Sequence, residues 1–321
     1  MTKTNYPTLG KIERFSNALD SLIDADELIV QLADGFKWTE GPAWDARRGR
    51  LLFSDIPNNR IHSWNDTAGL GVLLDPAGNP HGEDDLHAAP GTNGLFYESA
   101  SDSILICNQD ARSVDRYALE SGEREAIAIR FQGKKYNSPN DVIRSADGSI
   151  WFTDPPYGLK DGDGSAGREL DVKCVYRLSA DGKLDQLIAD MTFPNGLALS
   201  PDEKHLYVSQ SDPEAPVLRR FTIKDDGSVS GGEVWLDTKS ELNEDNPGLP
   251  DGMALDTDGN VWATGPGGVW VTAPDGEALG RIHTGKATAN CAFGDDGSTL
   301  YMTATDKLLR VKTRAKGIFF A

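Results

Sequence analysis

The chain has 321 residues, 38% of them hydrophobic and 26% charged, which supplies enough apolar material for a large core and excludes a disordered chain. Fifty acidic against 32 basic residues give a formal charge of −18. Such a field repels phosphate backbones and anionic surfaces, so neither nucleic acid nor a membrane is an expected partner.

The 34 glycines and 17 prolines fall between short apolar runs, the pattern of many tight turns joining short strands. Cys107, Cys174 and Cys291 are odd in number and widely spaced, which argues against a disulfide framework or a zinc knuckle. The first ten residues lack the apolar run of a signal peptide, and no stretch approaches the ~20 apolar residues of a spanning helix. The expected location is cytoplasmic.

In chain order, residues 1–26 read as an N-terminal extension, and residues 27–321 as one all-β domain with six copies of a single pattern. The copies begin Glu40-Gly-Pro-Ala-Trp, Asn93-Gly-Leu-Phe-Tyr, Asn140-Asp-Val-Ile-Arg, Asn195-Gly-Leu-Ala-Leu, Asp251-Gly-Met-Ala-Leu and Asn290-Cys-Ala-Phe-Gly. Each then runs through a turn to a second apolar segment that ends at Ser54, Cys107, Thr153, Ser209, Thr264 or Thr303. The turns carry Asp147-Gly148, Pro201-Asp202, Asp258-Gly259 and Asp296-Gly297, pairs that suit hairpins. Further alternating segments at Arg60–Trp64, Val114–Tyr117, Cys174–Leu178 and Val217–Thr222 bring each copy to four antiparallel strands, a propeller blade.

The key residues lie 53, 47, 55, 56 and 39 positions apart, against the ~40–50 residues of a propeller repeat. Only 31 residues follow Asn290, too few for a blade with its connections. The missing strand is expected from Glu27–Leu32, which closes a six-bladed ring by pairing the two ends of the chain and leaves no open sheet edge.

Innermost strands of a propeller surround a central channel, so equivalent positions project toward one axis. Here these are Glu40, Asn93, Asn140, Asn195, Asp251 and Asn290, all carboxylates or amides. Six oxygen donors without Lys, Arg or Cys describe a site for a hard divalent cation. The competing explanation is local: Asn and Asp precede strands because they form turns and tolerate left-handed angles.

The segments Trp38-Thr39-Glu40-Gly41-Pro42, Ser138-Pro139-Asn140-Asp141, Phe152-Thr153-Asp154-Pro155-Pro156-Tyr157-Gly158, Phe193-Pro194-Asn195-Gly196 and Pro250-Asp251-Gly252-Met253 resemble the gluconolactonase branch of the SMP-30 (regucalcin-like) family. The resemblance runs from about Trp38 over nearly the whole remaining chain. It implies a six-bladed propeller with one divalent cation in its channel, Glu40, Asn195 and Asp251 as metal ligands, and Asn140 as a fourth ligand or close neighbour. It also implies an enzyme that opens sugar-acid lactones. Some animal members carry Arg two residues before the Asn of the third motif, where this chain has Ser138, so substrate detail does not transfer from them.

Lactone hydrolysis builds negative charge on the carbonyl oxygen, which a cation stabilises. Asp251 and Asn140 are the expected catalytic residues, with Asp251 as general base or, in a covalent variant, as nucleophile. Asn93, Asn108, Asp154 and Tyr157 are candidates for holding sugar hydroxyls. Oxygen ligands favour Ca²⁺, with Mg²⁺, Mn²⁺, Zn²⁺ or Fe²⁺ as alternatives. Two other functions stay open: a metal-dependent phosphotriesterase or arylesterase on the same ring, and a non-catalytic calcium-binding propeller. Oligomeric state is not legible.

Several further signals weaken on inspection. Gly162–Gly167 matches a dinucleotide-binding pattern but sits in an acidic loop without a strand-loop-helix unit around it. His62, His81, His87, His205 and His283 show no zinc spacing, although His81 and His283 stay open as channel-mouth residues. No G-x-S-x-G elbow supports serine-hydrolase chemistry. Trp44, Trp151 and Trp262 follow the repeat and read as blade packing.

Overall fold

A computed structural model describes residues 6–78 and 87–318. Apolar segments and Gly-rich turns build six antiparallel sheets arranged as a six-bladed propeller, with a small two-stranded ribbon, Arg130–Phe131 against Lys134–Lys135, between blades two and three in the chain. Blade one is Thr39–Asp45, Arg50–Asp55, Arg60–Asn65 and Gly69–Leu74 from the axis outward. Blade two is Leu95–Glu98, Ser103–Asn108, Ser113–Ala118 and Arg124–Ala128. Blade three is Val142–Arg144, Ile150–Asp154, Cys174–Leu178 and Leu184–Ile188. Blade four is Pro194–Leu199, His205–Gln210, Val217–Ile223 and Val229–Asp237.

Blade five is Met253–Leu255, Val261–Gly265, Gly268–Thr272 and Ala278–His283, with Lys11–Arg14 added as a fifth, outermost strand. Part of the expected N-terminal extension is therefore paired into the ring. Blade six contributes Asn290–Gly294, Thr299–Ala304 and Lys307–Lys312, and its outer strand is Val30–Asp34. The two ends of the chain close the ring as expected, with the closing strand starting later than Glu27 and carrying a bulge between Gln31 and Ala33.

Apolar residues of facing sheets meet in the seams between blades. Leu52 and Ile61 of blade one pack with Leu95 and Ile104 of blade two, and Trp151 of blade three packs with Leu197 and Leu206 of blade four. The expected packing role of the tryptophans is visible in Trp44, stacked on Tyr301 of blade six at 5.7 Å, and in Trp262, edge-on to Phe293 at 5.4 Å.

In three of its five copies the recurring Ser or Thr at the end of the second strand reaches across to the next blade, while Thr153 and Thr303 bond within their own blades. Ser54 Oγ donates to the carbonyl of Asn93 at 2.7 Å, Ser209 Oγ to that of Asp251 at 2.5 Å, and Thr264 Oγ1 to that of Ala289 at 3.2 Å. Each of these bonds runs from one blade to the residues that lead into the inner strand of the next, and ties neighbouring blades together beside the axis.

The glycine that follows most key residues answers the same crowding. A Cβ on Gly196 would stand 2.2 Å from the carbonyl oxygen of Asp251, and one on Gly94 would stand 2.5 Å from Asp141 Oδ1. Only Gly41 of the four key-position glycines has a positive φ, at 52°. Close approach of inner strands, rather than turn formation, accounts for Gly94, Gly196 and Gly252.

Gly196→Ala is expected to destabilise the chain by about 1–3 kcal/mol or more, because the opposing atom is backbone already held by Ser209. Gly164→Ala, whose Cβ would meet nothing within 4 Å, should stay within about 0.5 kcal/mol. Urea unfolding of both variants checks this, and equal midpoints would show that the inner strands have slack.

Candidate active site

At one end of the channel, the starts of the inner strands and the loops beside them enclose a cavity of about 650 Å³. Glu40, Asn93, Asn140, Asn195 and Asp251 all line it, so five of the six key side chains come together. The four other than Asp251 are buried to 5% exposure or less, while Asp251 is half-buried. Trp38, Ile56, Pro57, Leu242 and Leu249 supply apolar walls.

Asn290, the sixth key residue, is placed differently. It lines a second cavity of about 250 Å³ along the inner strands, together with Asp141. Its Oδ1 accepts the N–H of Cys291 at 2.8 Å, and its side chain is hydrogen-bonded to Glu40. It supports Glu40 from the far half of the channel instead of completing the ring.

The placements of the expected sugar-binding residues also divide. Asn93 and Tyr157 line the cavity. Asn108 instead donates from Nδ2 to Asp115 at 2.9 Å and accepts from the N–H of Ala111 at 3.2 Å. Asp154 accepts the backbone N–H groups of Asn137 and Ser138, both at 2.8 Å. Burial raises the Asp154 carboxyl to about 7 in spite of these bonds. Both lie at the ends of second strands rather than first ones: Asn108 spends its polar atoms on the turn into the third strand of its own blade, and Asp154 on the loop that precedes the inner strand of blade three.

Ser138, the departure from the animal pattern, is buried and works on the Tyr157 turn. Its Oγ accepts the N–H of Gly158 at 2.7 Å and donates to the carbonyl of Pro155 at 3.1 Å. Tyr157 stacks on Phe193 with ring centres 5.8 Å apart. Among the described histidines, His283 bonds Asn246 at 3.0 Å and none lines the cavity. His81 lies outside the described residues. Gly162–Gly164 forms a single 3₁₀ turn with no nucleotide-binding unit.

Sequence reasoning did not single out Asp141 as a site residue. Its Oδ1 accepts the N–H of Val142 at 3.0 Å, and its Oδ2 that of Leu197 in the next blade at 3.4 Å. The repeat itself held the signal. Glycine follows the key residue in four copies, and the two exceptions are Asp141 and Cys291. A side chain retained at a crowded position is one that occupies the space the glycines vacate.

The electrostatics of the site are one-sided. Burial, and then repulsion from Asp141, pushes the Glu40 carboxyl up to about 8. Asp251 is held well above the usual carboxylate range, by burial first and then by Glu40 and Asp141. Among the described residues no Lys, Arg or His lines the cavity, so these carboxylates have no basic partner there. Buried charge must be paired, protonated or bound to a cation. No group of three His, Cys, Asp or Glu gathers among the described residues. The available donors are two carboxylates and the amide oxygens of Asn140 and Asn195, a set that fits a hard divalent ion.

An all-β ring whose inner strands gather carboxylates and amides at one end of the axis defines a recognisable class of six-bladed propeller. The family model described as the SMP-30/Gluconolactonase/LRE-like region matches residues 38–306, and the chain belongs to that family. A gluconolactonase of Zymomonas mobilis is 38% identical over 320 residues, spanning 98% of this chain and 89% of its own. A pentonolactonase of Haloferax volcanii is 27% identical, spanning 82% of this chain and 80% of its own. The solved structure of a Xanthomonas campestris gluconolactonase superposes with a TM-score of 0.82 at 31% identity, covering 97% of this chain and 99% of that one. The regucalcin of Agrobacterium tumefaciens, described as a calcium-binding protein, shares the fold with a TM-score of 0.69 at 21% identity, over 98% of this chain and 97% of that one.

Proposed function

We propose that this chain is a divalent-metal hydrolase that opens lactones of sugar acids. One observation carries the reading: Glu40 and Asp251 share a cavity with the amides of Asn140 and Asn195, and no described basic side chain lines it. The gluconolactonase and pentonolactonase names of the relatives support the substrate class.

In this reading Glu40, Asn140, Asn195 and Asp251 hold the ion, with Ca²⁺ favoured by the all-oxygen donor set. A divalent cation there supplies Lewis-acid stabilisation of the negative charge that builds on the lactone carbonyl oxygen. Asp251 takes a proton from the attacking water as its oxygen bonds the carbonyl carbon. The ring C–O bond then breaks, and the former ring oxygen takes the proton from Asp251 and leaves as a hydroxyl, which returns Asp251 to its carboxylate form. Asn93 and Tyr157 hold sugar hydroxyls, and the apolar walls limit access of bulk water.

A pH-drop assay of several aldonolactones, on chelated protein re-supplied with one metal at a time, tests this. Hydrolysis is expected only with metal present, and with an aldonolactone as the preferred substrate. A preference for aryl esters or phosphotriesters would move the chain to the esterase reading, and silence with every metal would leave a binding propeller.

A further inference from the structure

The geometry points to Ser211 as a positioning residue that sets which end of the Asn195 amide faces the cation. This rests on the metal reading above and adds a residue that takes no part in the repeat. Ser211 follows the second strand of blade four and lines the same cavity.

Its hydroxyl has one proton, donated to the carbonyl of Pro250 at 2.6 Å. The oxygen is then left to accept, and Asn195 Nδ2 donates to it at 2.8 Å. A hydroxyl already committed as a donor cannot satisfy an amide oxygen, so the amide turns its NH₂ toward Ser211 and frees Oδ1 as the donor atom for a metal. Without this partner the amide has two orientations of similar energy, and in one of them the N–H groups repel a cation. The Pro250 carbonyl belongs to the peptide that leads into Asp251, so one hydroxyl couples two ligands on adjacent blades. Outer partners of metal ligands commonly act this way.

The test is calorimetric titration of chelator-stripped protein with Ca²⁺, Mg²⁺ and Mn²⁺ one at a time, for wild type, Ser211→Ala, Ser211→Thr, Asn195→Ala and the Ser211→Ala/Asn195→Ala pair. Ser211→Ala should weaken the ion by about 10–100-fold while the metal-free melting temperature stays near wild type. Ser211→Thr, which keeps the hydroxyl, should recover most of the loss, and in the Asn195→Ala background Ser211→Ala should add little. Wild-type affinity in Ser211→Ala, or fully additive losses in the double variant, would overturn the role of Ser211 alone. Failure of the wild-type chain to bind any of Ca²⁺, Mg²⁺ or Mn²⁺ would overturn the metal reading and this inference with it.

Discussion

Asp251→Asn should lower kcat by at least about 100-fold, the lower end of what a positioned base contributes, while circular dichroism and urea unfolding remain those of a folded propeller. The substitution keeps the shape of the side chain and leaves an oxygen for the ion, but it removes the group that can accept a proton. It also removes a carboxyl that burial, and then repulsion from Glu40 and Asp141, holds above the usual range. Stability should therefore be retained or improved in the metal-free chain, and a loss of turnover cannot be assigned to unfolding. Steady-state kinetics on the preferred aldonolactone decide the matter, and turnover within threefold of wild type would remove Asp251 from the chemistry.

The second large effect concerns the ion itself. A chelated chain should melt at lower temperature than one supplied with Ca²⁺, since a ligand present at 100 times its dissociation constant stabilises by about 2.7 kcal/mol. The difference should grow with pH. Between the ordinary carboxyl value of 4.5 and about 8, the metal-free folded chain keeps a proton on Glu40 that the unfolded chain has released. The native state then binds more protons than the unfolded one, so metal-free stability falls as pH rises through that window. A cation replaces the proton and removes this loss. Melting curves with and without Ca²⁺ across the window measure both effects, and a metal-free melting temperature that climbs steadily with pH would contradict the shared burial of these carboxyls.

Much of this architecture is local in origin. The short continuous apolar run in Leu51–Phe53 or Leu206–Val208, bounded by turn residues, specifies a buried strand wherever the segment sits, and Asp147-Gly148 specifies a turn by its own backbone preference. Repetition of such units then fixes a ring, because a blade cannot bury its faces alone. Glu40, Asn93, Asn140, Asn195 and Asp251 are legible for the same reason: one place in a repeated unit maps to one place around the axis.

Other features depend on which atoms meet across blades. Asn290 occupies the same register as the other key residues, yet it faces the far half of the channel, beside the space vacated at Gly252, where an added Cβ would lie 1.9 Å from its Cγ. Asn108 and Asp154 end second strands and turn their polar atoms away from the cavity, Asn108 to Asp115 of the third strand and Asp154 to the Asn137-Ser138 backbone. Ser211 acquires its place only because blade five presents the Pro250 carbonyl within 2.6 Å.

Strand periodicity, turn chemistry and repeat register are thus properties of short segments, and they determine a six-bladed ring with oxygen-bearing side chains near its axis. The half of the channel each side chain enters, and the end of each amide that points inward, are decided by packing between segments distant in the chain. The reason is physical: hydrogen-bond partners supplied by a neighbouring blade leave no trace in the periodicity of the strand that uses them.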